Sequence, residues 1–205
     1  MELDSHAPKD GRYLIHSLYF DDYKDTSLYT TNSGLSKRYK WRIRYYGDDL
    51  TYIVLEKKEK LNSMCHKKCC KLTLDEYEKI VNGDITDIVY DTKKDLIKEL
   101  ACDMMIFNYR PKIIVDYERI AFVEEITNVR ITFDMKISAS YELEHFLDGD
   151  YTKFYVQPSG ENILEVKFDK ILPSYIRNIV ESYSYVQTSF SKYYYCRRII
   201  DSYMR

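Results

Sequence analysis

The stretch Arg38-Tyr39-Lys40-Trp41-Arg42-Ile43-Arg44 decides the reading of this chain. Its four basic residues hold every second position, with Tyr39, Trp41 and Ile43 between them, so as a β-strand it has one cationic and one apolar face. A half-buried strand hides its apolar face and wets its polar one, and like charges in a row repel one another. Such a row points to an anion held among the side chains.

The alternation recurs. In Tyr52-Ile53-Val54-Leu55-Glu56-Lys57-Lys58, Glu56 and Lys58 share a face. In Asn128-Val129-Arg130-Ile131-Thr132-Phe133-Asp134 the apolar stripe is Val129, Ile131 and Phe133, and in Ile163-Leu164-Glu165-Val166-Lys167-Phe168 the charged Glu165 and Lys167 project together. Two architectures fit these strands. One is an open sheet with helices under its apolar face and charges in bulk water; the other is a barrel turned inside out, with the charges in its lumen.

At 205 residues and 45% hydrophobic content the chain suits one large domain or two small ones and can bury a real core. Its formal net charge is only −2, so the arginines act as a local cluster and not as the global field of a general polyanion binder. The 22 tyrosines fit a β-rich protein. No apolar run of about 18 residues is present to span a bilayer, and no leader pattern opens the chain, so a cytoplasmic location is expected. Five cysteines, an odd number with Cys69 and Cys70 adjacent, do not form a secreted disulfide framework. Cys65, His66 and Cys69 lie close in sequence, but no second Cys or His pair follows at zinc-finger spacing, leaving reduced thiols.

Strands are expected near 13–20, 37–46, 51–58 and 64–71. A helix then starts at the capping box Thr73-Leu74-Asp75-Glu76 and stops at Gly83, and a second runs from Lys93 to Phe107. Strands return at 111–124, 128–137, 138–145, 151–157 and 162–168, and helices follow from Pro173 to Ser182 and from Ser191 to the C-terminus. This is one α+β domain over 1–205, with helices inserted between runs of antiparallel strands.

Seven motifs in order then carry a resemblance: Ser17-Leu18-Tyr19-Phe20-Asp21, Arg42-Ile43-Arg44-Tyr45-Tyr46-Gly47, Glu56-Lys57-Lys58, Tyr117-Glu118-Arg119-Ile120-Ala121-Phe122, Val129-Arg130-Ile131-Thr132-Phe133-Asp134, Leu164-Glu165-Val166-Lys167 and Phe190-Ser191-Lys192-Tyr193. Together they resemble the VTC domain, the polyphosphate polymerase domain of the triphosphate tunnel metalloenzyme superfamily. The resemblance implies an antiparallel β-barrel tunnel of eight strands with a charged lumen and helices packed outside. It implies transfer of the terminal phosphate of ATP to a growing polyphosphate chain, with Mn2+ or Mg2+ in the tunnel and often a membrane-protein partner. A hydrolase of triphosphates and a noncatalytic polyphosphate- or nucleotide-binding module are the alternatives. Basic residues that face inward argue against nucleic acid as a partner.

Carried over position by position, Arg42 and Arg44 resemble paired phosphate clamps and Lys58 a second-strand phosphate ligand. Arg119 and Arg130 resemble the arginines of the far wall, and Lys192 after Ser191 resembles the Ser-Lys pair at the mouth. Glu165 resembles the metal-binding carboxylate; Lys40 and Lys167 join the substrate-binding set, with Lys67 or Lys68 according to register. Asp134 either assists the metal or orients Arg130. Guanidinium groups grip phosphate oxygens bidentately, while a hard divalent ion takes carboxylate and phosphate oxygens. The family also places a strand with a Glu and Lys pattern, and a helix, ahead of Ser17. Met1 to Lys9 holds neither the strand nor its lysine, so the barrel is expected to lack its first strand. The strand at 13–20 then borders a gap, filled by an upstream segment or by another copy in a homo-oligomer.

Overall fold

The computed structural model describes residues 1–205 except 6, 9, 63, 184, 186 and 205. In chain order it runs β1 (Glu2–Leu3), β2 (Arg12–Asp21), α1 (Thr26–Asn32), β3 (Lys37–Tyr46), β4 (Asp49–Leu61), β5 (Met64–Leu72), α2 (Leu74–Asn82), α3 (Ile85–Asp91) and α4 (Asp95–Phe107). Then come β6 (Arg110–Glu124), β7 (Val129–Ser140), a 3-10 turn at Leu143–His145, β8 (Phe154–Tyr155), β9 (Ile163–Lys167), α5 (Ser174–Glu181) and α6 (Lys192–Tyr203). All strand pairs are antiparallel, in the order β5-β4-β3-β2-β6-β7, with β8 and β9 both beside β7 and β1 beside β6.

Alternation decides what each face meets. Leu18 and Phe20 of β2, Trp41, Ile43 and Tyr45 of β3, and Ile53 and Leu55 of β4 form one apolar face, covered by Tyr77, Ile80, Ile97, Leu100 and Met104 of α2 and α4. The capping box fixes the start of α2: Thr73 Oγ1 accepts from the Glu76 N–H at 3.1 Å and Glu76 Oε2 accepts from the Thr73 N–H at 2.8 Å. Gly83 ends it at φ 81°, the left-handed conformation that glycine adopts most readily. His16, on the same apolar face, stacks on Tyr45 with centroids 4.4 Å apart and lies 3.0 Å from Asp116 Oδ1.

The opposite face is concave. Ile15, Tyr19, Val115, Tyr117, Ile137 and Ala139 gather there against Tyr193, Cys196 and Ile200 of α6, which lies in the trough like a floor. Its charged portion shows the curvature. In a flat sheet β4 and β9 would lie five strand spacings apart, about 24 Å. Yet the Lys58 charge on β4 helps to depress the Lys167 pKa on β9.

The sheet is not closed into a barrel, against the expectation of a tunnel: among the described residues β5 pairs only with β4, and β9 only with β7. Nor does β2 border the gap, because it is paired on both sides, with β3 and with β6. The free edges are those of β5 and of the β9/β8 column. Two further expectations change. The strands expected at 128–137 and 138–145 are one strand, β7, whose bulge at Lys136 (φ 50°) reverses the parity of its faces before the 3-10 turn. The strand expected at 151–157 is reduced to Phe154–Tyr155. No helix among the described residues is long and apolar enough to cross a membrane.

Candidate functional site: a cationic groove

The groove is built where Arg42 and Arg44 of β3, Glu56 and Lys58 of β4, Lys67 of β5, Arg119 of β6, Arg130 and Asp134 of β7 and Glu165 and Lys167 of β9 fall on the concave face. Lys192, the first residue of α6, comes in from the floor. The register settles the ambiguity at β5. Lys67 pairs with Lys58 and reaches Glu56 Oε1 at 3.3 Å, whereas Lys68 pairs with Lys57 and bonds Glu99 Oε2 at 3.1 Å on the helix-covered face. The structure therefore brings Lys67 into the groove and leaves Lys68 outside it.

On one wall, Arg42 Nε donates to Glu56 Oε2 at 2.6 Å and Nη1 donates to the Tyr19 hydroxyl at 2.9 Å. Arg44, 6% exposed, donates from Nη2 to the Tyr117 hydroxyl at 3.3 Å. Its Nε–H is buried with no acceptor among the described residues, as is that of Arg130. An unused buried guanidinium donor costs desolvation that an incoming anion would recover. Burial pushes the Glu56 carboxyl up, but Arg42, Arg44 and Lys67 overcome this and bring it down to about 2.

On the other wall, Arg119 grips Asp134 with Nε and Nη2 at 2.6 and 2.8 Å, and Lys192 Nζ lies 2.5 Å from Asp134 Oδ2. Asp134 thus orients Arg119 and Lys192, not Arg130, whose Nη2 donates to Asp4 Oδ2 at 2.5 Å and to the Tyr13 hydroxyl at 3.3 Å. Between the walls stands Tyr117, whose role the sequence did not single out. Burial would raise its phenol pKa, yet Arg44, Arg119, Lys192 and Arg42 together lower it. The Tyr117 hydroxyl thus lies where the four cations of the two walls act together.

Ser191 caps α6, accepting from the Tyr194 N–H at 3.2 Å, and its Oγ also accepts from Lys40 Nζ at 3.0 Å. Burial, helped by the charges of Arg38, Lys58 and Arg42, pulls the Lys40 pKa down to about 7. Lys167 is likewise lowered, first by burial and then by Lys58 and Arg119, although Glu165 lies 3.2 Å away and opposes the shift.

Among the described residues no three His, Cys, Asp or Glu side chains come together as a metal cage; Cys65 and Cys69 of β5 fall on one face and His66 on the other. The carboxylates of Glu56 and Asp134 are sealed among cations at 4% and 0% exposure, while that of Glu165 is 37% exposed. Burial raises the Glu165 pKa, but Lys167, Lys192 and Arg119 lower it overall and keep it ionised. This donor set fits a hard divalent ion that takes one carboxylate from the protein and its other ligands from phosphate oxygens and water.

The fold is similar to that of a Bacillus halodurans protein described as a "putative adenylate cyclase", with TM-score 0.53, 12% identity, 91% of this chain covered and 82% of that one. A "putative adenylyl cyclase" from Hippeastrum, described as having a dominant triphosphatase activity, aligns with TM-score 0.45 and 12% identity over 83% of this chain and 72% of that one. No curated protein matches the sequence. The VTC domain model matches residues 1–200, and the chain belongs to the VTC domain family.

Proposed function

We propose that the groove binds the triphosphate of ATP and transfers its terminal phosphate to the end of a polyphosphate chain. Members of the triphosphate tunnel family are enzymes, triphosphatases and polymerases, generally dependent on a divalent metal, which supports the reading of the groove as a catalytic site. The observation that carries it is the convergence of Arg42, Arg44, Arg119 and Lys192 on Tyr117, with the Arg44 Nε–H left unused. A polyanion is the ligand that such a site stabilises.

In the reaction an oxygen of the acceptor phosphate bonds to the terminal phosphorus of ATP as the bridging bond to the β-phosphate breaks, releasing ADP. No nucleophilic side chain is required, because the acceptor is itself a phosphate, and catalysis is positioning and charge neutralisation. Arg42 and Arg44 hold the transferred group from one wall, and Arg119 with Lys192 from the other. Lys58, Lys67, Lys167 and Arg130 hold the flanking phosphates, and Lys40 with Ser191 holds the segment nearest the α6 cap. Glu165 would hold a Mn2+ or Mg2+, which when bound would supply neutralisation of phosphate charge.

The open side of the sheet favours a second reading, since water that reaches the groove competes with a phosphate acceptor and yields triphosphate hydrolysis. Incubation with ATP, Mn2+ and a short polyphosphate primer separates them. Acid-stable polymer supports the polymerase, free phosphate without polymer supports the hydrolase, and tight tripolyphosphate binding without turnover supports a noncatalytic module.

A further inference from the structure

The cationic row of β3 ends at Arg38, and there a second cavity begins. Arg38 belongs to both: it is the outermost of the four alternating cations and also lines a cleft of about 560 Å³ between residues 22–30, the start of β3 and the end of α4. That volume falls within the roughly 300–1,000 Å³ of small-molecule sites.

The chemistry changes at this boundary. Tyr23, Ile106 and Phe107 present apolar surface to the cleft at 65%, 70% and 44% exposure, and Lys24 Nζ stands 5.2 Å above the Tyr23 ring. Asp22, also lining the cleft and only 7% exposed, turns its Oδ1 to the backbone N–H groups of Lys24 at 3.0 Å and Thr26 at 2.8 Å. Lys24 and Lys37 also line the cleft, so the cations continue here, while the Asp22 carboxylate is turned away to backbone N–H groups; what the cleft adds to the groove is exposed aromatic surface. An uncharged planar ring meets the aromatic faces of Tyr23 and Phe107 on which to stack, with the hydroxyl-bearing Thr26, Ser27 and Thr30 also in the lining.

We propose that this cleft is a nucleoside subsite, in which the base and ribose of a nucleoside triphosphate lie against Tyr23 and Phe107. The inference rests on the reading of the groove as a triphosphate site and gives that site a direction. From the cleft, the phosphates run inward past Arg38 and Lys40 to Arg42 and Arg44. Arg38 and Arg42 are four strand residues apart, about 13 Å, so a nucleoside in the cleft and the phosphates that follow it both fit between the mouth and the clamps. The growing chain then leaves from the opposite end of the groove, and the cleft distinguishes a nucleotide from an inorganic polyphosphate of equal charge.

The test compares ATP with inorganic tripolyphosphate by titration calorimetry on the full chain, using Phe107→Ala and Tyr23→Ala, with thermal melts to confirm folding. The expected result is about fivefold or greater loss of ATP affinity in either variant, as follows from removing one stacking surface. Tripolyphosphate affinity stays within about twofold of wild type on the same reasoning. Equal weakening of both ligands, or no change in either, overturns the nucleoside subsite. Wild-type protein that binds neither ligand overturns the reading of the groove itself, and is distinguishable from wild type that binds both while the variants change nothing.

Discussion

Raising the pH through 8 should weaken phosphate binding, and Lys40 should be the cause. Its amine is half-buried beneath the α6 cap, beside Arg38, Lys58 and Arg42, and titrates near 7 instead of 10.5. An anion in the groove offsets those neighbouring charges, favours the ammonium form and draws a proton from solution. With a free-state pKa of about 7, Lys40 is only about one-tenth charged at pH 8, so binding takes up ~0.9 proton there, ~0.5 at pH 7 and ~0.1 at pH 6. Affinity then falls nearly tenfold per pH unit above about 7.5, until the ligand-bound pKa is reached. The sign for folding is separate. The folded pKa lies below the unfolded one, so between about 7 and 10.5 the unfolded chain binds more protons, and this residue's contribution to stability rises with pH across that window. Titration calorimetry with tripolyphosphate, in buffers of different ionisation enthalpy at pH 6, 7 and 8, reads the proton uptake directly. Subtracting Lys40→Met removes the proton release of the ligand itself, and Lys40→Arg should flatten the profile because a guanidinium stays charged. A wild-type minus Lys40→Met difference below ~0.2 proton at pH 8 would refute the reasoning.

Arg42→Ala and Arg44→Ala should each lower tripolyphosphate affinity at least a hundredfold, on the order of the 3 kcal/mol of a charge-assisted pair, with an unchanged circular dichroism spectrum; wild-type affinity in both would end the site assignment. Glu165→Gln should retain phosphate binding yet lose metal-dependent turnover, since a neutral amide is a poor ligand for a hard cation, and superimposable metal titrations of mutant and wild type would rule it out as a ligand. Glu56→Gln should increase anion affinity by freeing Arg42, Arg44 and Lys67, at a cost in stability. The Glu56 pKa is depressed from 4.5 to about 2, so its stabilisation, roughly 3 kcal/mol, is present above pH 4.5 and lost as pH falls toward 2. The gap between wild-type and mutant denaturation curves should therefore narrow over that range; a gap that is constant with pH would show that Glu56 does not act through its charge.

Periodicity made the strands of the site legible. The Arg38 to Arg44 alternation, Glu56 with Lys58 and Glu165 with Lys167 all face the groove because each segment is a regular strand. The capping box gave α2 for the same reason: its signal is local. The seven-residue helices α1 and α3 were not legible, because Asp25 and Asp84 precede them without making a side-chain cap, and Asp25 adopts φ 54°. The length of β7 was hidden by the bulge at Lys136, after which odd residues such as Ile137 and Ala139 face α6 where even ones had faced the groove. The choice between Lys67 and Lys68 lies in the pairing of β5 with β4, which no local pattern states. Tyr117 carries a faint signal, two residues before Arg119 on the same face, but its place among four cations comes from curvature that brings β3, β6 and α6 together.

The free edges of β5 and β9 have a topological consequence. A closed ring admits a polymer only by threading, so its ends must find the hole and long chains enter slowly. A trough can be loaded from the side at any point along the polymer. The interior of a long polyphosphate should then occupy this groove as readily as its terminus, and so compete with productive end-on binding more strongly as the chain grows. A cyclic phosphate, which has no end to thread, should enter as well.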